Sequence, residues 1–244
     1  MKELVYAIGD IHGDYLTFIE LLKEYDREMH QLVLIGDLAD RGPRGKECLE
    51  LGKQLVEEEG AIYLKGNHED ILLNFLKDPE ERYNNYLRNG GSTTINGLIH
   101  QGATEEYSPL EMSILIQTYH EELIAFLKKL PLYFEWHDYL FVHAGVDLTK
   151  SDWHQTSKQD FVWIRDSFHQ GKNNTGKTIV FGHTITPFLH GDNQTTDLWI
   201  SDNKIGIDGG GIYGGSVHGV IVNQRGILQD IEIQNFIGPW QPDF

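Results

Sequence analysis

Short apolar runs alternate with polar turns along the first quarter of the chain. Residues 3–8 and 31–36 predict buried strands, and each is followed by a Gly-Asp turn and an amphipathic helical pattern. A third strand is predicted from Ala61 to Leu64. Asp14 is expected to cap the helix that begins at Tyr15. This β-α-β-α-β order predicts a mostly parallel sheet with right-handed crossovers.

A helical region follows the third strand. Helical patterns are predicted over Ile71–Leu76, Tyr83–Arg88 and Pro109–Leu130, and a break at Asn89-Gly90-Gly91 separates the second from the third. This segment, about residues 71–136, is inserted between two sets of strands. We therefore expect it to form a helical cap over the ends of the strands, where it would influence which substrates enter.

Strand patterns return after the helical region. They are predicted at Tyr139–Val142, Thr178–Phe181, Leu198–Ser201, Lys204–Ile207, Ser216–Val222 and Ile227–Ile233. The last four are joined by turns such as Asp202-Asn203 and Arg225-Gly226, so we expect a second, antiparallel-leaning sheet. The predicted fold class is α/β, and the 244 residues fit one domain that includes the cap.

Composition and charge narrow the class of protein. Hydrophobic residues make up 40% of the chain and charged residues 23%, which is typical of a globular protein. The formal net charge of −17 disfavours an extended nucleic-acid-binding or anionic-membrane-binding surface. No apolar segment approaches the ~20 residues that span a bilayer, and the first apolar run is too short for a signal peptide. We expect a cytoplasmic protein in which Cys48, the single cysteine, is a packing residue.

Potential metal ligands follow directly after five of the predicted strands. They are Asp10 and His12 after the first strand, Asp37 after the second, Asn67 after the third, and His143 and His183 after two later strands. The carboxyl ends of parallel strands meet at one sheet edge, so we expect these side chains to converge. Their oxygen and nitrogen donors suit Mn²⁺, our first choice, and also Fe or Zn²⁺. Asp37 is expected to bridge two ions that hold a hydroxide for in-line attack on a phosphoryl group.

Neighbouring residues in the same segments add phosphoryl-transfer chemistry. His68 follows Asn67, and Asp40 is expected to orient its imidazole and keep it protonated, which makes His68 the candidate general acid. Arg41 offers planar donors for two phosphoryl oxygens. Glu69 is expected to support the site by hydrogen bonding. These residue types together predict a two-metal hydrolase.

The motifs form a recognisable set. The main segments are Asp10-x-His12, Gly36-Asp37-x-x-Asp40-Arg41-Gly42, Gly66-Asn67-His68-Glu69, His143-Ala144-Gly145 and Gly182-His183. They resemble the metallophosphoesterases, specifically the phosphoprotein phosphatase branch of calcineurin-like serine/threonine phosphatases. Further segments resemble its bacterial and phage members, namely Asn89-Gly90-Gly91, Trp163-Ile164-Arg165, Ile207-Asp208-x-Gly210 and Tyr213-Gly214-Gly215, although no role is assigned to Asp208.

The resemblance carries implications for fold and site. It implies a calcineurin-like fold, which is a mixed-sheet β-sandwich flanked by helices. It also implies that the six candidate ligands bind two divalent ions and that His68 with Asp40 forms the acid pair. Arg41 and Arg165 are the phosphate-binding residues that it implies.

The expected reaction is metal-dependent hydrolysis of phosphomonoesters. We expect phosphoserine or phosphothreonine in proteins as substrate, because the related symmetrical bis(5'-nucleosyl)-tetraphosphatases typically lack an acid at the position of Asp40. Those enzymes, which cleave diadenosine polyphosphates, are the alternative, since they resemble this chain in length and in several motifs. A non-catalytic scaffold of the same fold is a further alternative, but it would need neither His68 nor Arg41.

Overall fold

The computed structural model describes residues 2–240, in which two five-stranded sheets pack face to face. The strands are β1 (Leu4–Ile8), β2 (His30–Leu34), β3 (Ile62–Tyr63), β4 (Tyr133–Trp136), β5 (Tyr139–Val142), β6 (Thr178–Phe181), β7 (Trp199–Ser201), β8 (Lys204–Gly206), β9 (Ser216–Asn223) and β10 (Gly226–Gln234). The α-helices are α1 (Tyr15–Leu21), α2 (Gly45–Glu59), α3 (Asn67–Lys77), α4 (Pro79–Arg88), α5 (Gly91–Leu98), α6 (Ala103–Glu106), α7 (Pro109–Tyr119), α8 (Glu121–Leu127), α9 (Lys158–Trp163), α10 (Asp166–His169) and α11 (Thr186–His190). These elements confirm the α/β class.

The first sheet has the strand order β10–β9–β1–β2–β3. β1, β2 and β3 run parallel, with Leu4 opposite His30 and Val33 opposite Ile62. The parallel arrangement predicted for the first three strands is therefore confirmed. β9 lies antiparallel to β1, and β10 lies antiparallel to β9, so the sheet as a whole is mixed.

The second sheet has the order β4–β5–β6–β8–β7 and corrects one prediction. β5, β6 and β8 run parallel, while β4 and β7 pair antiparallel at the two edges. The last four strands do not form a sheet of their own, because β7 and β8 belong here whereas β9 and β10 extend the first sheet. Asp202 and Asn203 do form a tight turn, with φ of 50° and 54°. A turn defines only the pairing of the strands that it joins, and not the sheet to which they belong.

Alternate strand positions face different layers. In β1, Val5 and Ala7 belong to the core between the sheets, whereas Tyr6 and Ile8 pack against helices on the outer side. Phe141 of β5 reaches the same inter-sheet core from the opposite sheet. Helices cover both outer faces, so the layers are helix, sheet, sheet and helix. This arrangement confirms the predicted β-sandwich flanked by helices.

The helical region after β3 begins earlier than its periodicity indicates. α3 begins at Asn67 instead of Ile71, so Asn67 and His68 lie in the first turn of a helix. α4 begins at Pro79, because proline is well tolerated at the first helical position. The predicted break is present, with Gly90 in the left-handed conformation at φ 87°. That this region forms a cap stays a prediction.

The predicted helix over Pro109–Leu130 is divided into α7 and α8 at His120. The backbone of His120 leaves the helical conformation, with φ −125° and ψ 34°. Its ring Nε2 donates a hydrogen bond to the Leu98 carbonyl oxygen, 2.6 Å away. This tertiary contact accompanies the bend, and apolar periodicity within the segment cannot reveal it.

Two local predictions are confirmed. Asp14 caps α1, because its Oδ1 accepts a hydrogen bond from the Thr17 backbone N–H at 3.1 Å. Cys48 is fully buried on α2. Within residues 2–240, every helix is too short or too polar to cross a membrane.

A buried histidine joins β9 and β10 to the loop that precedes β7. The His218 Nδ1 lies 2.8 Å from Asp230 Oδ1, and its Nε2 lies 2.7 Å from the Thr196 carbonyl oxygen. Both partners accept hydrogen bonds, so a doubly protonated ring satisfies both. Burial alone would lower the pKa of His218, but these hydrogen bonds and the charges of Asp230 and Glu232 raise it overall.

This raised pKa predicts a pH-dependent contribution to stability. A histidine whose folded pKa is raised stabilises the fold fully below its unfolded pKa of about 6.5, and the contribution is lost as pH rises through the folded pKa. We expect His218→Gln to lower the free energy of unfolding by about 1.5–3 kcal/mol at acidic pH, and by less at alkaline pH. Urea unfolding measured across this range tests it, with the exposed His100→Gln as control. A loss that does not change with pH would contradict a charged His218.

Candidate active site

The six predicted ligands lie together at one edge of the sandwich, although they come from distant parts of the chain. They are Asp10 and His12 after β1, Asp37 after β2, Asn67 after β3, His143 after β5 and His183 after β6. All six are buried. They surround or approach a cavity of about 450 Å³, which His12, Asp37, Asn67 and His183 line directly. The predicted convergence of strand ends is therefore present.

Two glycines allow the loops at this edge to approach one another. A Cβ atom on Gly66 would collide with the carboxylate of Asp37, and one on Gly182 would collide with that of Asp10. Each glycine directly precedes another predicted ligand. The glycine in these two motifs is therefore required by the close approach of a carboxylate from a different strand end.

Backbone strain is concentrated in the same loops. Among the described residues, nine non-glycine positions have a positive φ, and five of them are candidate site residues. These five are His12, Asp37, Asp40, Arg41 and His183. Such conformations cost on the order of 1–3 kcal/mol each and persist where the surrounding structure enforces them. The loops hold these side chains in fixed directions at a cost to stability, which is typical of a functional site.

One group of donor atoms forms around Asp37, His143 and His183. Ligand atoms of the three lie within 4.8 Å of one another. Asn67 Oδ1 joins them, 3.0 Å from His143 Nε2 and 2.7 Å from His183 Nδ1. His143 Nδ1 donates a hydrogen bond to the Ile35 carbonyl oxygen at 3.0 Å, which directs Nε2 toward the other donors. A carboxylate, an amide oxygen and two imidazoles in this arrangement suit a divalent ion.

A second group of donor atoms shares Asp37. Ligand atoms of His12, His68 and Asp37 also lie within 4.8 Å of one another. His12 Nδ1 donates a hydrogen bond to the Ala39 carbonyl oxygen at 3.2 Å, and its Nε2 lies 3.7 Å from Asp37 Oδ2. Asp37 belongs to both groups, as a carboxylate that bridges two ions would. The sequence prediction assigns His68 to proton transfer. In the structure, His68 also lies close to the donor atoms of His12 and Asp37.

Three carboxylates are buried next to one another here. Asp10, Asp37 and Asp208 are 4%, 2% and 6% exposed, and the Asp10 carboxylate accepts a hydrogen bond from the His183 backbone N–H. Burial raises the pKa of all three, and neighbouring carboxylates raise those of Asp10 and Asp37 further, that of Asp37 to about 7. Burying negative charge is costly unless it is compensated, and divalent ions would compensate it. The residues present therefore fit a metal site.

Asp208 is a residue of this cluster to which the sequence prediction gives no role. It follows β8, which runs parallel to β6, and it lines the cavity. The signal that locates the other carboxylates, an acidic residue directly after a strand, is present in the sequence here too. That signal places Asp208 in the segment Ile207-Asp208-x-Gly210, but it does not by itself assign a role to this residue.

The Asp40 carboxylate contacts the His68 ring, which is the geometry that the proposed orienting role requires. Its Oδ2 lies 2.8 Å from His68 Nδ1, and its Oδ1 accepts a hydrogen bond from the Tyr86 hydroxyl at 2.9 Å. The Asp40 backbone N–H donates to Thr94 Oγ1, also at 2.9 Å. Tyr86 and Thr94 belong to α4 and α5, so the helical region between β3 and β4 supports this pair directly.

Burial acts against the charges that were expected for this pair. Burial lowers the pKa of His68 well below its usual value, and the Arg41 guanidinium lowers it further. Burial also raises the pKa of Asp40 to about 7. The predicted orientation of the ring is present, but burial opposes the positive charge that was predicted for it.

Glu69 connects the loops that carry Asp37 and Asn67. Its fully buried carboxylate accepts hydrogen bonds from the backbone N–H groups of Asp37, Leu38 and Gly66 at 2.8–3.0 Å. It also accepts one from the Tyr63 hydroxyl at 2.8 Å. The supporting hydrogen bonds predicted for Glu69 are therefore present.

Both predicted phosphate-binding arginines line the cavity. Arg41 Nη1 lies 2.6 Å from His12 Nε2, and Arg41 Nη2 lies 2.9 Å from His68 Nε2. Arg165 Nη1 donates a hydrogen bond to Thr184 Oγ1 at 2.9 Å. The cavity thus combines candidate metal ligands with two guanidinium groups, which is a suitable arrangement for a phosphorylated ligand.

Comparison with known proteins identifies the family. The sequence profile of the calcineurin-like phosphoesterases matches residues 4–215. The chain belongs to this family. The predicted resemblance to metallophosphoesterases is therefore confirmed. The fold is also that of a crystal structure of a protein assigned as a diadenosine tetraphosphatase, with a TM-score of 0.65 and 20% identity over 98% of this chain and 96% of that one.

Sequence relatives of this phosphoesterase include two kinds of enzyme. An asymmetrical bis(5'-nucleosyl)-tetraphosphatase of Geobacillus sp. (strain WCH70) is 28% identical over 237 residues, which cover 86% of each chain. Serine/threonine-protein phosphatase 1 of Salmonella typhimurium is 35% identical over 89 residues, which cover 36% of this chain and 38% of that protein. The first similarity extends over most of both chains, whereas the second is local.

Because both donor groups include Asp37, replacing this residue is expected to reduce metal binding. We expect the wild-type protein to bind two divalent ions and Asp37→Ala to lose at least one, because both donor groups depend on this carboxylate. Elemental analysis after dialysis against Mn²⁺ measures the ratio of metal to protein. Asp138→Ala, at an exposed carboxylate, is the matched control. Two ions retained by Asp37→Ala would contradict the bridging position.

Proposed function

We propose that this phosphoesterase hydrolyses dinucleoside polyphosphates by cleaving a phosphoric anhydride bond. The observation that carries the proposal is the composition of the cavity, where exposed aromatic rings lie beside the arginines and the candidate metal ligands. The similarity of a bis(5'-nucleosyl)-tetraphosphatase over 86% of both chains supports it. Phosphoproteins, which the sequence analysis expects as the main substrate, therefore become the second candidate.

The residues proposed to hold two divalent ions divide into two sets. Asp10, His12 and Asp37 would hold one ion, while Asn67, His143 and His183 would hold the other and share Asp37 with the first. When bound, such ions activate water and stabilise the charge on the phosphoryl oxygens. Mn²⁺ remains our choice because the donors are oxygen and nitrogen atoms, which also suit Fe and Zn²⁺. The cytoplasmic location stays a prediction.

Arg41 is proposed to bind a phosphoryl oxygen and, by doing so, to alter His68. The Arg41 Nη2 group lies 2.9 Å from His68 Nε2. Since His68 Nδ1 contacts Asp40, a neutral ring that donates from Nδ1 accepts from Arg41 at Nε2. A bound phosphate would draw the guanidinium away from Nε2. Nε2 would then take up a proton from solvent, and Asp40 would stabilise the resulting imidazolium. Donation of that proton to the leaving oxygen would return the ring to its neutral form.

Exposed aromatic rings favour a nucleotide substrate. Phe188 is 58% exposed and Tyr213 is 46% exposed, although large apolar rings are usually buried. Both line the cavity, with Arg41 and Arg165. A nucleobase attached to the phosphate chain could stack on such a ring, whereas a phosphoserine side chain has no planar group to do so.

A phosphoprotein is the second candidate for two reasons. Asp40 contacts His68 at 2.8 Å, and proton donation matters most for a poor leaving group such as the serine alkoxide. The local similarity to serine/threonine-protein phosphatase 1 of Salmonella typhimurium agrees with this candidate. The two candidates share the metal ligands and differ in the group attached to the phosphate.

Parallel assays distinguish the two candidates. We expect the Mn²⁺-loaded protein to have a higher kcat/KM for diadenosine tetraphosphate than for a phosphoserine peptide. Chromatography of the products separates ATP plus AMP, from asymmetrical cleavage, from two ADP, from symmetrical cleavage. A higher kcat/KM for the phosphopeptide would reject the dinucleotide in favour of the second candidate.

The exposed rings predict a specific effect on substrate binding. We expect Phe188→Ala to raise KM for diadenosine tetraphosphate about fivefold to 150-fold, because base–aromatic stacking contributes about 1–3 kcal/mol. Hydrolysis of inorganic tripolyphosphate, which has no base, should change little. Tyr119→Ala removes a ring that is 75% exposed and outside the cavity, and serves as control. Equal effects of Phe188→Ala on the two substrates would contradict base stacking.

The proposed proton donor predicts a dependence on the leaving group. We expect His68→Asn to keep both metals and to lower turnover of a phosphoserine peptide by ~10²–10⁴-fold, the usual contribution of general acid catalysis. An aryl phosphate and diadenosine tetraphosphate should lose less, because their leaving groups need less protonation. Steady-state kinetics on the three substrates gives the comparison. Equal losses on all three would contradict proton donation and indicate a positioning role for His68.

A further inference from the structure

The last described segment of the chain, residues 235–240, returns to the active site after β10. It lies beyond residue 215, where the match to the family profile ends. Asn235 Nδ2 donates a hydrogen bond to the Gly211 carbonyl oxygen at 2.7 Å, and the Trp240 backbone N–H donates to the Ile212 carbonyl oxygen at the same distance. The Phe236 backbone N–H donates to Asp14 Oδ2 at 3.2 Å. These contacts hold the segment against the loop after β8 and against the start of α1.

The segment places an indole ring beside Arg41. The Arg41 Cζ atom lies 5.6 Å from the centre of the Trp240 ring and 5.3 Å from the centre of the Tyr213 ring. The two rings also contact each other edge to face, with centres 6.3 Å apart. Distances below about 6 Å between a guanidinium and a ring centre are those of cation–π interactions. Two aromatic rings therefore contact the guanidinium of Arg41, one of the two predicted phosphate-binding residues.

Few polar contacts other than these ring contacts fix the orientation of the Arg41 guanidinium. Its Nε is buried and, within residues 2–240, has no hydrogen-bond partner. Among the described residues, the hydrogen-bond partners of the Nη groups are the His12 and His68 rings, which are themselves proposed to act on metal and substrate. When a phosphate draws the Nη groups away from these rings, the contacts with Tyr213 and Trp240 are the ones that can still orient the guanidinium.

We infer that Trp240 is a positioning residue for Arg41, and that the C-terminal segment thereby completes the phosphate-binding site. The inference rests on the proposed function in one respect, the role of Arg41 in binding phosphate. Cation–π contact leaves the in-plane N–H groups of the guanidinium available to the ligand, which is the geometry that bidentate phosphate binding requires.

The test uses the full-length, Mn²⁺-loaded protein and inorganic phosphate as the probe. We expect Trp240→Ala to weaken phosphate binding in calorimetry about twofold to thirtyfold, the range of a cation–π contact, with unchanged metal content. Trp240→Phe should restore most of the affinity because it keeps a ring. Phe236→Ala, in the same segment but with a ring that is 59% exposed, should bind phosphate as the wild type does.

A double variant separates positioning of Arg41 from a general structural effect. In an Arg41→Ala background, Trp240→Ala should cause no further loss of phosphate affinity. A further loss of the same size as in the wild type would overturn the inference, and so would full phosphate affinity in Trp240→Ala. If Trp240→Ala does not fold, Trp240→Leu keeps apolar volume without a ring and should show the same loss, whereas wild-type affinity in this variant would overturn the inference. None of these measurements uses a dinucleotide, so failure of the proposed substrate is seen separately.

Discussion

The burial of the Asp37 carboxylate is the constraint on which the site depends. It is 2% exposed and lies near two further buried carboxylates, so its negative charge is costly unless cations compensate it. Part of the compensation comes from the backbone, because the His68 N–H donates to Asp37 Oδ1 at 2.9 Å. The left-handed loops, the close-approach glycines and the Glu69 hydrogen bonds all hold this carboxylate at the point where both donor groups meet. A pair of divalent ions is the simplest completion of such an arrangement.

Much of this arrangement follows from the order of residues along the chain. Asp10, Asp37 and Asn67 each follow a short apolar run that predicts a buried strand, and parallel strands bring their carboxyl ends together. The positions of these candidate ligands can therefore be predicted without knowledge of the full topology. The sequence does not predict which sheet each later strand joins, because strand pairing is decided by contacts between distant segments. Asp208 carries the same signal in the sequence, but its place beside Asp10 and Asp37 depends on the parallel pairing of β8 with β6.

Features that depend on tertiary contacts escaped prediction in the same way. His120 divides a periodic helix through a hydrogen bond to Leu98, and burial opposes the positive charge that the Asp40 contact suggested for His68. Phe188, which lines the cavity, and Trp240, which contacts Arg41, lie outside the motifs that identify the chemistry. The motifs thus report the reaction type, while the substrate depends on loops whose placement needs the three-dimensional structure.

The pairing of two ions across Asp37 can be observed directly by electron paramagnetic resonance of the protein loaded with Mn²⁺. Two ions at the separation usual for two-metal sites, about 3.5–4 Å, are coupled to each other and do not give the spectrum of an isolated ion. We expect a coupled signal that corresponds to two ions per chain. A six-line spectrum of isolated Mn²⁺, with one ion per chain, would contradict a two-metal site centred on Asp37.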